Sequence, residues 1–157
     1  MPENISLSTS RLNTLAEFRY ALRLFLSFSE KASLEEGVSV QHYQLLQVIA
    51  TAPDGAEASI GFVAERMVLR HNSAVELVDR AARSGLVKRK IDPEDLRRSL
   101  VVLTPKGEEV LARLVPAHLA ELDAHGDKIM RALKLLLAQS KEEQIATQRG
   151  ILRLLRR

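Results

Sequence analysis

Leu12, Leu15, Phe18, Leu22, Phe25 and Leu26 recur at three- and four-residue spacing, so the stretch from Leu7 to about Ala32 predicts one long amphipathic helix. Beyond a break at Gly37, Ser39 can cap a second helix carrying Tyr43, Leu45, Leu46, Val48 and Ile49. It stops before the turn sequence Ala52-Pro53-Asp54-Gly55. Ser59 can cap a third helix, in which Ile60, Val63, Ala64 and Met67 fall at i, i+3, i+4 and i+7 and form one apolar stripe. The stripe returns at Ala74, Leu77, Val78 and Ala81, in a fourth helix that ends at Gly85, a residue suited to the positive φ that follows a helix.

The period then changes. Leu86, Val87 and Ile91, and later Leu100 to Leu103, are β-branched or aliphatic runs on either side of a polar, Pro-containing loop, which predicts a β-hairpin. Thr104 suits an N-cap, with Pro105 at the first helical position and Glu108 and Glu109 near the positive end of the helix dipole. The fifth helix carries Val110, Leu111 and Leu114, is expected to bend near Pro116, and leads on to Leu119, Leu122, Ile129, Met130, Leu133 and Leu135 to Leu137, with Gly126 as a possible division. Ser140 and Glu143 have the spacing of a capping box and predict a last helix bearing Ile145, Ile151, Leu152, Leu154 and Leu155. The expected fold is mainly α with a small β-wing.

Composition narrows the function classes. The chain has 157 residues, long enough for one domain with a sizeable core and short for a two-lobed enzyme. There is no cysteine, which excludes disulfides, thiolate metal sites, cysteine nucleophiles and thiol redox sensing. The start MPENISLSTS lacks a basic stretch followed by an apolar one, and no run approaches the ~18 apolar residues that cross a bilayer, so a cytoplasmic location and no membrane partner are expected. The net charge of +3 says little by itself, but its distribution says more. Between positions 66 and 98, nine positives (Arg66, Arg70, Arg80, Arg83, Lys88, Arg89, Lys90, Arg97, Arg98) face five acids (Glu76, Asp79, Asp92, Glu94, Asp95). A segment of about a fifth of the chain thus carries the whole positive excess, as expected of a surface that meets phosphates.

Two short helices, a turn and a two-stranded wing make a winged helix-turn-helix. With Ala74, Leu77, Val78 and Ala81 turned inward, Arg70, His71, Asn72, Ser73, Val75, Glu76 and Arg80 are expected to face outward. Their amide, hydroxyl, imidazole and guanidinium groups suit the donors and acceptors of the major groove, and a valine suits a thymine methyl.

SGLVKRKIDPEDLRRSLVVLTPKG, residues 84 to 107, resembles the wing of the MarR family: a GLV strand, a basic end, an acidic-Pro loop, Asp-x-Arg, then LTPKG. With LRHNSAVELVDRAARSG upstream the resemblance spans about forty residues, and QHYQLLQVI is similar to the family's second helix. It implies a DNA-binding transcriptional regulator, a repressor in the first instance, that pairs as a homodimer on double-stranded DNA. Residues 37–104 would form the DNA-binding lobe of a single MarR-like domain, and 1–36 and 105–157 its dimerisation helices. Leu15, Phe18, Ile151 and Leu155 are candidate contacts between protomers, or else core of one chain. By position Arg97 matches the wing arginine that enters the minor groove, with Asp95 to orient it, and Arg89 and Arg98 match phosphate contacts. Two positions depart from the family pattern. Glu76 puts an acid on the recognition helix, where it must accept from cytosine or repel a phosphate. Ala81 stands where a large aliphatic residue is common, so looser packing is expected there.

The resemblance also implies a small aromatic or phenolic effector that releases DNA. Arg19, Arg23, His42 and Tyr43 are candidate pocket residues, since an anionic ligand needs a cation or donor in an apolar cleft. His118 and His125 lie seven apart with no third ligand, so neither a metal nor another cofactor is expected. No catalytic residues are assigned, because no nucleophile–base pair, phosphate loop or spaced carboxylate pair is present. A winged helix serving as a protein-interaction scaffold, with the dimer as its frame, is the competing reading; Glu76 and the modest charge favour it.

Overall fold

A computed structural model describes residues 9–53 and 57–154, and the side chains of those residues except 142–144 and 146–154. In chain order the elements are α1 (Thr9–Glu35), α2 (Val40–Ala50), β1 (Ala58–Ser59), α3 (Ile60–Arg66), α4 (His71–Arg83), β2 (Val87–Ile91), β3 (Ser99–Leu103) and α5 (Pro105–Leu154). The mainly α fold with its β-wing is as expected. The chain divides into two compact units within α1 and α5: residues 28–119 form one, and the residues up to Ser27 with those from Ala120 onward form the other. Among the described residues no helix is long and apolar enough to cross a membrane.

In the unit of residues 28–119 the sequence stripes converge. Tyr43, Leu45, Leu46 and Ile49 of α2, Ile60, Val63 and Ala64 of α3, and Ala74, Leu77, Val78 and Ala81 of α4 form one core with Leu86, Val87, Val101, Val110 and Leu114. Burying each large side chain of this set is worth about 1.5–3 kcal/mol. Ala81 is fully covered, so its small side chain leaves no opening to solvent. The sheet is antiparallel in the order β1-β3-β2. Val87 pairs with Leu103 and Ile91 with Ser99, while β1 adds Ala58 opposite Val101 and Ser59 opposite Leu100.

The helix ends explain much of the local sequence. Ser39 Oγ accepts from the His42 amide at 3.2 Å and Ser59 Oγ from that of Phe62 at 3.1 Å, so both expected caps form. Three helices end in the same paired hydrogen bonds. Val38 N–H reaches Ser33 O and Gly37 reaches Leu34 O, Leu86 reaches Ala81 O and Gly85 reaches Ala82 O, and Leu69 reaches Ala64 O and Val68 reaches Glu65 O. The pivot of this motif is left-handed: φ is +73° at Gly37, +71° at Gly85 and +54° at Val68. Glycine adopts that conformation freely, whereas an L-residue with a Cβ pays about 1–2 kcal/mol. Val68 is also 90% exposed, so its methyls gain almost nothing by packing. Val68→Gly is therefore expected to raise stability by about 1 kcal/mol, less the extra freedom of glycine in the unfolded chain, which a denaturant titration would measure.

The junction of wing and α5 is tighter still. Thr104 Oγ1 accepts from the Gly107 amide at 3.2 Å, and its hydroxyl lies 2.6 Å from the carbonyl of Gly85 and 3.0 Å from that of Leu86. Lys106 Nζ donates to Ser84 O at 2.9 Å. A Cβ on Gly107 would stand 2.3 Å from Leu86 O and 3.3 Å from Leu46 Cδ2. Thr-Pro-Lys-Gly is thus a helix start fastened to the end of α4 and the first residue before β2.

One expectation fails. α5 runs as a single 50-residue helix through Pro116, Gly126 and Ser140, so no separate last helix begins there. Ser-x-x-Glu also suits an exposed helical face, and Ala138 to Glu142 offer no glycine or proline to stop the helix. Asp54 and Gly55 of the predicted turn, Leu155, and the side chains of Glu143, Ile151, Leu152 and Leu154 lie outside the described residues.

Candidate nucleic-acid interface

Met67–Arg70 link α3 to α4, whose inner stripe is Ala74, Leu77, Val78 and Ala81 as the spacing predicts. Arg70, His71, Asn72, Ser73, Glu76 and Arg80 are exposed. Val75 departs from the expectation: it is half-buried and packs against the core, because it flanks the inner stripe rather than standing opposite it. Arg70 occupies the N-cap of α4 with no side-chain cap hydrogen bond, unlike Ser39 and Ser59. The first turn of α4 therefore presents amides, an imidazole, a carboxamide and a hydroxyl at the positive end of a helix dipole.

The wing loop is built by its acids. Asp92 is 8% exposed, accepts from the Glu94 amide at 2.9 Å through Oδ1, and faces Arg98 Nη1 at 3.6 Å through Oδ2. Its amide donates to Arg98 O at 3.1 Å. Asp95 Oδ1 accepts from the backbone amide of Arg97 at 3.0 Å, and Asp95 O from that of Arg98 at 2.8 Å. Asp95 thus shapes the turn that carries Arg97 rather than gripping its guanidinium, because its short side chain closes on the backbone two residues on. Among the described residues the Arg97 guanidinium makes no ion pair, while Arg98 is engaged with Asp92. Arg89, a candidate phosphate contact, has its Nη2 2.8 Å from Asp79 Oδ1 of α4 and 3.4 Å from Val75 O.

Of the four candidate pocket residues, His42 and Tyr43 belong to the unit of residues 28–119 and Arg19 and Arg23 to the other. Tyr43 is buried, its ring 4.6 Å from that of His118 and its hydroxyl accepting from Gln47 Nε2 at 3.2 Å. Burial pushes the Tyr43 phenol up from its ordinary value of 10.0. His42 is half-buried on α2, while Arg19 and Arg23 are exposed on α1 in the other unit. Within that unit, two cavities of 240 and 780 Å³ lie between α1 and α5, and Ala21, Leu24 and Lys128 line both. Sequence reasoning missed Lys128, which has no motif around it.

Desolvation lowers the His42 imidazole below 6.5, and the nearby Arg80 charge lowers it further. The folded state thus disfavours the imidazolium, so the His42 contribution is complete above pH 6.5 and is lost as pH falls from there through the depressed folded value. The expected result is that His42→Gln gains stability relative to the parent at pH 5.5 and not at pH 8, read by denaturation at the two pH values.

Two further histidines, His118 and His125, lie on α5. His118 is 7% exposed, with Nδ1 2.8 Å from Leu114 O and Nε2 2.8 Å from Ser29 Oγ. The carbonyl only accepts, so Nδ1 donates, and in the neutral ring Nε2 accepts from the Ser29 hydroxyl. His125 Nδ1 lies 3.1 Å from Glu121 Oε1, four residues back on α5. Among the described residues no group of three or more His, Asp or Glu could hold a metal ion.

α3 and α4, followed by the β2–β3 wing, define a winged helix-turn-helix. A family model for the MarR family matches residues 36–98. A Thauera aromatica protein described as a transcriptional regulatory protein for the hcr operon is 30% identical over 132 residues, covering 79% of this chain and 78% of its own length. The chain belongs to the MarR family of transcriptional regulators. Among solved structures it shares its fold with Sco3205 of Streptomyces coelicolor, a MarR family regulator in complex with DNA, at a TM-score of 0.64 and 21% identity over 97% of this chain and 91% of that one. CouR of Rhodococcus jostii RHA1, bound to p-coumaroyl-CoA, is similar at a TM-score of 0.54 and 28% identity over 73% of this chain and 81% of that one.

Proposed function

We propose that the chain is a homodimeric repressor that grips a pseudo-palindromic operator, with the first turn of α4 in the major groove and Arg97 in the adjacent minor groove. The observation that carries this reading is the pairing of an uncapped polar helix start with a wing arginine that makes no ion pair among the described residues. Arg70, His71, Asn72, Ser73, Glu76 and Arg80 supply the base-reading side of α4, and Arg98 flanks the tip. Residues 28–119 then form the reading lobe, somewhat larger than the segment 37–104 expected from the sequence. The work belongs in the cytoplasm, and the reading assigns the chain no catalytic step.

Dimerisation is supported by apolar side chains that one chain leaves in water. Leu12, Leu15, Tyr20 and Leu24 of α1 are 44–53% exposed, and Met130, Leu133, Leu135 and Leu137 of α5 are 42–56% exposed. A two-fold pairing through these helices sets the reading helices about one turn of DNA apart, ~10 base pairs. An aromatic acid or its thioester is the proposed effector. Support comes from CouR's ligand and from the two cavities beside Lys128, a cation at an apolar wall.

The experiment is retention of DNA from upstream of the chain's own gene, measured over a salt series with and without p-coumaroyl-CoA. Binding that weakens steeply with salt, by a dimer, and is reversed by the thioester is the expected result. No retention of any genomic fragment at low salt would favour the protein-interaction scaffold, to which exposed Glu76 is suited.

A further inference from the structure

Strand period assigns Arg89 a direction. In β2, Val87, Arg89 and Ile91 share one face and Lys88 and Lys90 the other. Val87 is 3% exposed and belongs to the core that α4 covers, so Arg89 projects toward α4 and away from the side that carries the two lysines. There it meets Asp79 and the carbonyl of Val75, which lie four residues apart on one side of that helix.

We propose that Arg89 and Asp79 are a positioning pair that fixes the wing strand to the middle of the reading helix, and that neither residue touches DNA. The inference rests on the DNA-binding reading. Both side chains are about a third to a half exposed, and a pair of that kind contributes little to folding. Its effect lies elsewhere. Arg97 and the first turn of α4 must enter adjacent grooves together, which requires a constant offset between the hairpin and the helix. Arg89 spans the two elements at one point, using a planar guanidinium on a carboxylate. It also neutralises an acid that would otherwise stand unpaired on a helix facing phosphates.

A phosphate contact and a positioning pair predict opposite results at Asp79. If Arg89 held a phosphate, Asp79→Asn would remove a competing acid and tighten binding, and Arg89→Met would flatten the salt dependence by about one counterion. A positioning pair predicts that Arg89→Met and Asp79→Asn each weaken binding by roughly tenfold, and that the double variant is no worse than either single one. The logarithmic salt slope and the melting temperature stay at parental values. The measurement uses the dimeric full chain and a duplex carrying the region upstream of its own gene. A parent that binds nothing overturns the DNA reading and the pair with it. A parent that binds while Asp79→Asn binds equally well or more tightly overturns the pair alone, as does a flattened slope in Arg89→Met.

Discussion

Gly107→Ala is expected to lower the melting temperature by roughly 5–10 °C, the largest loss of stability from any single methyl group considered for this chain. The added Cβ would sit 2.3 Å from the carbonyl oxygen of Leu86, backbone that cannot swing aside, with Leu46 Cδ2 at 3.3 Å behind it. That carbonyl already accepts from the Thr104 amide at 3.1 Å, so shifting it disturbs the start of α5 and the entry to β2 together. Alanine gains up to ~1 kcal/mol of helix propensity over glycine, whereas overpacking against fixed structure costs about 1–3 kcal/mol or more, so the loss wins. Gly126→Ala in the same helix is the control. Its Cβ would meet Leu122 Cδ2 at 3.7 Å and Leu122 Cβ at 3.8 Å, ordinary contacts, so the propensity gain stands and the variant should be at least as stable as the parent. Thermal melts of the two variants side by side check both signs.

Arg97→Ala carries the second large effect, on DNA and not on folding. The guanidinium makes no ion pair among the described residues, and only the Arg97 amide is used, by Asp95. Alanine keeps that amide and the turn. Stability is expected to stay within ~0.5 kcal/mol of the parent, while affinity falls by about 10- to 100-fold at fixed salt, the range for a base-edge arginine worth 1–3 kcal/mol. Asp95→Ala should weaken binding too, but by loosening the loop that presents Arg97, and with some loss of stability. Titration of both variants against one duplex, with melts alongside, separates the two causes.

The sequence was informative where local chemistry repeats. Ser39 and Ser59 mark helix starts because each hydroxyl replaces a missing acceptor, and the stripe at Ala74, Leu77, Val78 and Ala81 marks the buried side of α4 because every one of its members is apolar. The wing was legible from the change of period at Leu86. β1 was not, since Ala58 and Ser59 are too few to show a period and become a strand only by pairing with Val101 and Leu100. The unbroken α5 was hidden by Ser140 and Glu143, which look alike in a cap and on an exposed helical face. Resemblance sets Arg89 among phosphate contacts, and the alternation from Val87 turns it toward α4, where it meets Asp79. Nothing in Asp-Leu-Arg-Arg distinguishes Arg98, the arginine that pairs with Asp92, from its neighbour Arg97.

The absence of cysteine allows the central claim to be tested by placing a single thiol at will. An iron chelate that cleaves DNA, attached through Asn72→Cys in the first turn of α4 or Leu96→Cys at the wing tip, reports which groove each element enters. The account predicts cuts near the operator centre of each half-site, offset in the major-groove sense from position 72 and in the minor-groove sense from position 96. Operator bound with full affinity but left uncut from both positions would contradict it.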